Sequence, residues 1–168
     1  VYTTTNAGTP SYYYVVADAV TGQNIVEPTL IPAASGGTVT GSPRVFLLAN
    51  YFIILFTNVI TATSHLQYIA ISISNPTIVT TPVDIASSYS SNSGVSYDGI
   101  VVGDYLYIAY NSLTGGQNVS VTFLHSTLGN PGRTVTFLGQ MAAIMSMTAD
   151  TSIDGHPVIY AAYADNSS

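Results

Sequence analysis

An all-β repeat architecture is written into this sequence in three ways. Short runs of β-branched and aromatic residues alternate with Gly, Pro, Asn and Asp turn signals, the chain superposes on itself when displaced by 54 residues, and each period holds about four strand-like runs.

The displacement brings Asn50-Tyr51-Phe52-Ile53-Ile54-Leu55-Phe56-Thr57 onto Asp104-Tyr105-Leu106-Tyr107-Ile108-Ala109-Tyr110-Asn111. A further step of 53 adds Val158 to Tyr163, so Tyr2, Phe56, Tyr110 and Tyr163 form one recurring position. A second set agrees: Tyr14-Val15-Val16-Ala17 matches Tyr68-Ile69-Ala70-Ile71, and Pro28 falls on Pro82. In the copy that starts near Gly99, strands are expected at Gly99 to Val102, Tyr105 to Asn111, Asn118 to Leu124 and Arg133 to Leu138. Asp98-Gly99, Gly103-Asp104, Gly115-Gly116 and Asn130-Pro131-Gly132 supply turns, through φ > 0 at Gly and the fixed φ of Pro.

Within the second strand of a period, Phe52, Ile54 and Phe56 alternate with Ile53, Leu55 and Thr57, so both faces are largely apolar. A strand of that kind belongs in a sheet covered on both sides. Four antiparallel strands in roughly 50 residues is the size of one β-propeller blade, and the expected fold is a β-propeller segment of about three such blades. The chain 1–168 then forms one propeller segment with blade parts 1–40, 41–92, 93–138 and 139–168. Gly139 to Met147 is rich in helix-favouring Met and Ala, but in register it is the innermost strand of the next blade, where small residues suit the crowded centre, and it is read as a strand.

Val45 to Ile60 superficially resembles a membrane span. It falls short of the roughly 20 residues required and contains Asn50, Tyr51, Thr57 and Asn58, so two buried strands joined at Ala49-Asn50 are expected instead. Because Tyr2 and Tyr163 share one phase of the repeat, the chain is expected to span three periods and to be cut inside a second strand at each end. Three blades are fewer than the roughly four to eight that close a ring, so further blades are expected from missing sequence or from other copies. The first residue is Val1, with no basic and apolar leader behind it, which suits a processed or excised segment. Such a segment is expected not to fold stably alone, since two apolar blade faces would be open.

Charge is the unusual quantity. Only 6% of the 168 residues are charged, against about 25% in ordinary soluble proteins, and Arg44 and Arg133 are the only cations apart from any protonated His. A net charge of -6 with so few cations argues against nucleic acid and against an anionic membrane surface. The absence of cysteine excludes disulfides and thiolate chemistry. Solubility must come from Ser, Thr, Asn, Gln and Tyr, a balance suited to an extracellular or virion surface.

No catalytic residue, metal site or cofactor is expected. A glycosidase needs two facing carboxylates, for which Asp98 and Asp150 are the nearest candidates, yet most acids here sit beside Gly or at strand ends, where Asp serves turns. The Ser-x-Asp-x-Gly-x-x-Trp box of sialidase propellers is not met: Ser96-Tyr97-Asp98-Gly99 has its Gly one place early and the chain has no Trp. His65, His125 and His156 fall at different blade positions, and Asp150 to Asp154-Gly155 lacks the ligand alternation of a calcium loop and is read as a turn. Asn118-Val119-Ser120 and Asn166-Ser167-Ser168 match the glycosylation sequon. Among 13 tyrosines, Tyr12, Tyr13, Tyr105 and Tyr107 are the candidates for a protein interface or for stacking on a sugar, with framework packing as the competing role.

The pattern Asp98-Gly-Ile-Val-Val-Gly-Asp-Tyr-Leu-Tyr-Ile-Ala-Tyr-Asn-Ser112, followed by a Gly- and Asn-rich hairpin, resembles the degenerate propeller blades of large viral and bacterial surface proteins, those of bacteriophage tails most of all. That resemblance covers nearly the whole chain and carries no catalytic motif. It implies a non-enzymatic structural or interaction module of an extracellular or virion assembly, with protein neighbours as partners. A carbohydrate-binding adhesin or lectin and part of a propeller glycosidase are the alternatives, the first implying surface glycans as ligands.

Overall fold

The computed structural model describes residues 1–6, 9–33, 36–87, 97–112, 118–137, 141–151 and 157–165. Among these residues every regular element is a strand. The order is β1 (Tyr2–Asn6), β2 (Thr9–Ala17), β3 (Asn24–Leu30), β4 (Gly37–Leu48), β5 (Tyr51–Ile60), β6 (Thr63–Ser72), β7 (Val83–Ala86), β8 (Tyr97–Val102), β9 (Tyr105–Ser112), β10 (Asn118–His125), β11 (Val135–Phe137), β12 (Met141–Thr151) and β13 (Pro157–Asp165).

The strands pair only with their neighbours in sequence, always antiparallel. They form four meanders: β1-β2-β3, β4-β5-β6-β7, β8-β9-β10-β11 and β12-β13, here the first to fourth sheets. The positions Tyr2, Phe56, Tyr110 and Tyr163 fall on β1, β5, β9 and β13, one strand from each sheet. Met141–Thr151 is a strand, as its register requires, despite its helix-favouring composition. The strand expected from Arg133 is shorter and runs over Val135–Phe137; Asn130-Pro131-Gly132 keeps the chain before it in a loop, where Gly132 donates its N–H to the Phe123 carbonyl at 2.7 Å.

The apolar run from Val45 to Ile60 is a hairpin, with Leu48 opposite Tyr51 across Ala49-Asn50 and φ of 48° at Ala49. No helix among the described residues is long and apolar enough to cross a membrane. Gly103 takes φ of 57° in the matching two-residue turn between β8 and β9, where Val102 pairs with Tyr105.

Strand alternation assigns each side chain to one of two faces. Ile54 and Phe56 of β5, with Ile69 and Ile71 of β6, pack on Tyr12 and Tyr14 of the first sheet. Their neighbours Ile53 and Leu55, with Leu66, Tyr68 and Ala70, pack on Leu106, Ile108 and Tyr110 of the third sheet. The third sheet in turn places Ala109 and Val119 against Met147, Ile159 and Ala161 of the fourth. The sheets are thus layered in chain order, and the second is buried on both faces.

Polar anchors cross these interfaces. In β4, the five residues from Thr40 to Arg44 lie against only the three from Thr57 to Leu55 on β5, a bulge that opens at Gly41 with φ of 79°. Near it the Ser42 carbonyl accepts a 2.9 Å hydrogen bond from the Tyr97 hydroxyl of β8. Gly99 lies where β8 crosses close to β4: a Cβ there would come within 3.0 Å of the Phe46 ring and 3.1 Å of the Tyr107 carbonyl.

Candidate functional site

The tyrosines singled out in the sequence separate into three environments. Tyr12 is 8% exposed and lies in the core between the first and second sheets, so its ring is engaged in packing. Tyr13, one residue on, points to the opposite face and stacks on Tyr2 with ring centroids 5.6 Å apart and planes 16° from parallel. Tyr105 and Tyr107 lie on one face of β9, and pairing with β10 sets them opposite His125 and Phe123.

These four rings form an aromatic cluster. Tyr105 meets the edge of Phe123 at 5.5 Å and of His125 at 4.9 Å, and lies 6.1 Å from Tyr107. His125 is itself fixed by a 2.9 Å hydrogen bond between Nδ1 and the Thr127 hydroxyl. The cluster borders a groove of about 510 Å³ lined by Tyr107, Val121, Phe123, Val135 and Ile159, with Arg133 among its few polar contributors.

The groove has a simple structural cause. The third sheet presents four strands toward the fourth, and the fourth has two among the described residues. Ile159 and Ala161 of β13 cover the inner part of that face, while Val121, Phe123 and Val135 on β10 and β11 are left at the opening. Alternation of Val119, Val121 and Phe123 in the sequence marks an apolar face, although it does not say which neighbour covers it. Arg133 and Ile159 carry no local signal of this role, since they come from a loop and from a different sheet.

A smaller groove of about 240 Å³ lies between the first and second sheets, lined by Tyr14, Val16, Val45, Phe52 and Ile71. Its side chains are apolar apart from the Tyr14 hydroxyl, and it sits beside β4 and β5, where the first sheet sets three strands among the described residues against the four of the second.

Among the described residues, Asp18, Asp84 and Asp98 are engaged in local structure. Asp18 accepts the N–H groups of Val20 and Thr21 at 2.8 and 2.7 Å, and these bonds, Thr21 first, hold its pKa below the usual carboxylate value. Asp84 joins a polar chain: Asn58 Nδ2 donates to Gln67 Oε1 at 3.0 Å, Gln67 Nε2 donates to Asp84 Oδ1 at 2.7 Å, and His65 Nδ1 lies 3.4 Å from Asp84 Oδ2. Asp98 accepts the backbone N–H of Met147 at 3.1 Å, a bond that ties β8 to β12. Asp150 lies in β12 opposite Val158.

His65 and His125 lie on different sheets, and among the described residues no group of three or more His, Asp or Glu side chains is placed to hold a metal ion. His156, Asp154 and the sequon at Asn166 lie outside the described residues. Asn118, the first residue of β10, is 7% exposed and so offers little of its amide to a glycosylating enzyme. What the arrangement presents is a set of partly exposed apolar and aromatic surfaces. Compared with family models, curated proteins and solved structures, the chain matches none.

Proposed function

We propose that this chain is a non-enzymatic structural or interaction module, a run of β-propeller blades within an extracellular or virion assembly such as a bacteriophage tail or fibre. The observation that carries the reading is the layered packing: the second sheet is packed on both faces, while the first leaves Leu30 exposed on its outer face and the third leaves Val135 exposed beside the groove it forms with the fourth. Apolar surface left open in this way suits a part that works against neighbours.

Several features support blades in particular. Each complete meander has four strands, and successive meanders stack face to face. The first strand of the third sheet, β8, contacts the first strands of both neighbouring sheets, β4 and β12, as inner strands around a common axis do. The low charge and the resemblance to phage tail blades favour a virion or extracellular setting with protein partners, no cofactor, no nucleic acid and no membrane insertion. Against a glycosidase stands the use of Asp98 as an acceptor for a backbone N–H.

Purified particles and secreted fractions from the source, analysed by quantitative mass spectrometry, test the reading. The chain's peptides are expected in fixed stoichiometry with the other particle proteins. Finding them only in free soluble protein would overturn it. The aromatic cluster favours carbohydrate binding as a second reading, because Tyr105 is exposed beside Tyr107. Under it, binding on a glycan array would be lost in Tyr105→Ala and Tyr107→Ala.

A further inference from the structure

We propose that two copies of this chain associate head to tail, with the outer face of the first sheet of one copy seated in the groove beside β10 and β11 of the next. The inference rests on the reading of the chain as a stacked module and adds the identity of one partner: the chain itself.

The internal interfaces define what fits such a groove. At each of them the face of one sheet that looks toward the C-terminal end of the stack is covered by the opposite face of the sheet that follows. Tyr12 and Tyr14 are covered by Ile54, Phe56 and Ile69; Leu55, Leu66 and Tyr68 are covered by Leu106, Ile108 and Tyr110. The third sheet repeats this surface with Val121, Phe123 and Val135, and β13 covers part of it.

The complementary surface also exists in the chain, unused. On the outer face of the first sheet Tyr2 pairs with Tyr13, and Tyr13 with Leu30, placing all three on the side turned away from the second sheet. The repeat of 54 residues carries Tyr2 onto Phe56 and Tyr13 onto Gln67, which lie opposite each other on β5 and β6 and face the first sheet. The outer face of the first sheet is therefore, position for position, the kind of face that the fold already seats on a groove of this type. Leu30 is 53% exposed there and Val135 is 48% exposed at the groove, so both surfaces are accessible in a single copy.

Charge agrees with this pairing. The first sheet and its loops carry Asp18 and Glu27 and no Lys or Arg, while Arg133 stands at the groove. Two different surfaces meeting in this way make a heterologous contact, which yields a closed ring if the rotation closes and a filament if it does not.

Sedimentation velocity of the full chain and of two variants tests the proposal. The wild type is expected to show an average mass that rises with concentration above the 17.6 kDa of one copy. Leu30→Asp blocks one surface and Val135→Asp the other, and each variant alone is expected to stay monomeric with an unchanged circular dichroism spectrum. Because each keeps one intact surface, an equimolar mixture of the two is expected to form a dimer and stop there.

A wild type that is folded yet monomeric up to its solubility limit would overturn the proposal, as would two variants that associate like the wild type. Cross-linking of Val135 to a segment of a longer natural chain would also overturn it and name that segment as the occupant. None of these results touches the assembly-module reading, which stands or falls on the particle stoichiometry.

Discussion

The hydroxyl of Tyr97 reaches from β8 into the second sheet, donating to the Ser42 carbonyl at 2.9 Å and lying 3.3 Å from that of Leu55. Its ring is buried in the same core, so replacing it with Phe keeps the packing and removes only the hydrogen bonds of the hydroxyl, whose nearer acceptor, on Ser42, is open to water. Tyr97→Phe is expected to cost about 0.5–1.5 kcal/mol in urea unfolding, the net worth of a hydrogen bond whose acceptor water can reach. Tyr68 offers a test with pH. Burial holds its phenol above the ordinary 10.0, and its hydroxyl donates to the Gly129 carbonyl at 3.1 Å. The folded state then keeps a proton that the unfolded state releases, so this contribution is complete below pH 10.0 and lost as pH rises through the folded value. Stability is expected to fall in that alkaline window, with a smaller slope in Tyr68→Phe, read by unfolding midpoints against pH.

At the scale of elements, the hairpin between β5 and β6 makes its turn with Thr61 and Ala62, at φ of 49° and 63°. Two positive φ values in a two-residue connection are the signature of a type I′ turn, whose twist matches that of the flanking strands. A β-branched Thr is costly there, and no residue but Gly adopts the conformation freely. Replacing the pair with Asn-Gly is expected to raise stability by about 1–2 kcal/mol, measured as a higher thermal midpoint. The turn between β8 and β9 already has Gly103 at its positive φ. That difference explains why Gly103-Asp104 was legible as a turn in the sequence while Thr61-Ala62, inside a run of strand-forming residues, was not.

For the whole molecule the decisive feature is that adjacent residues of one strand serve different cores. Ile53 and Ile54 are both buried, the first against the third sheet and the second against the first. Ile53→Ala and Ile54→Ala are each expected to cost about 2–5 kcal/mol in denaturant unfolding. A two-layer sandwich with one wet face would lose that much at only one of the two positions. The same layering makes the glycine at position 99 a constraint between sheets, since β4 and β8 meet where its hydrogen stands against Phe46.

The order of strands, their antiparallel meanders and the recurrence of one aromatic position per sheet followed from the chain itself, because alternation and turn chemistry are local and a repeat imposes them again in each copy, although Asp98-Gly99, expected as a turn, lies within β8 paired with Ala109 and Ile108. The candidate surface was legible in part. Tyr105 and Tyr107 were found by their own spacing, but Tyr12 and Tyr13 are neighbours of identical type, and only the packing of the second sheet decides that Tyr12 is buried while Tyr13 faces outward. Phe123, Arg133 and Ile159 meet at one groove from a strand, a loop and a separate sheet. Contacts of that kind depend on how sheets stack rather than on any local preference. The chain thus specified its strands and their two-sided apolar character, whereas which faces are covered, and which are left open, was decided by how the described strands of each sheet are set against those of the next.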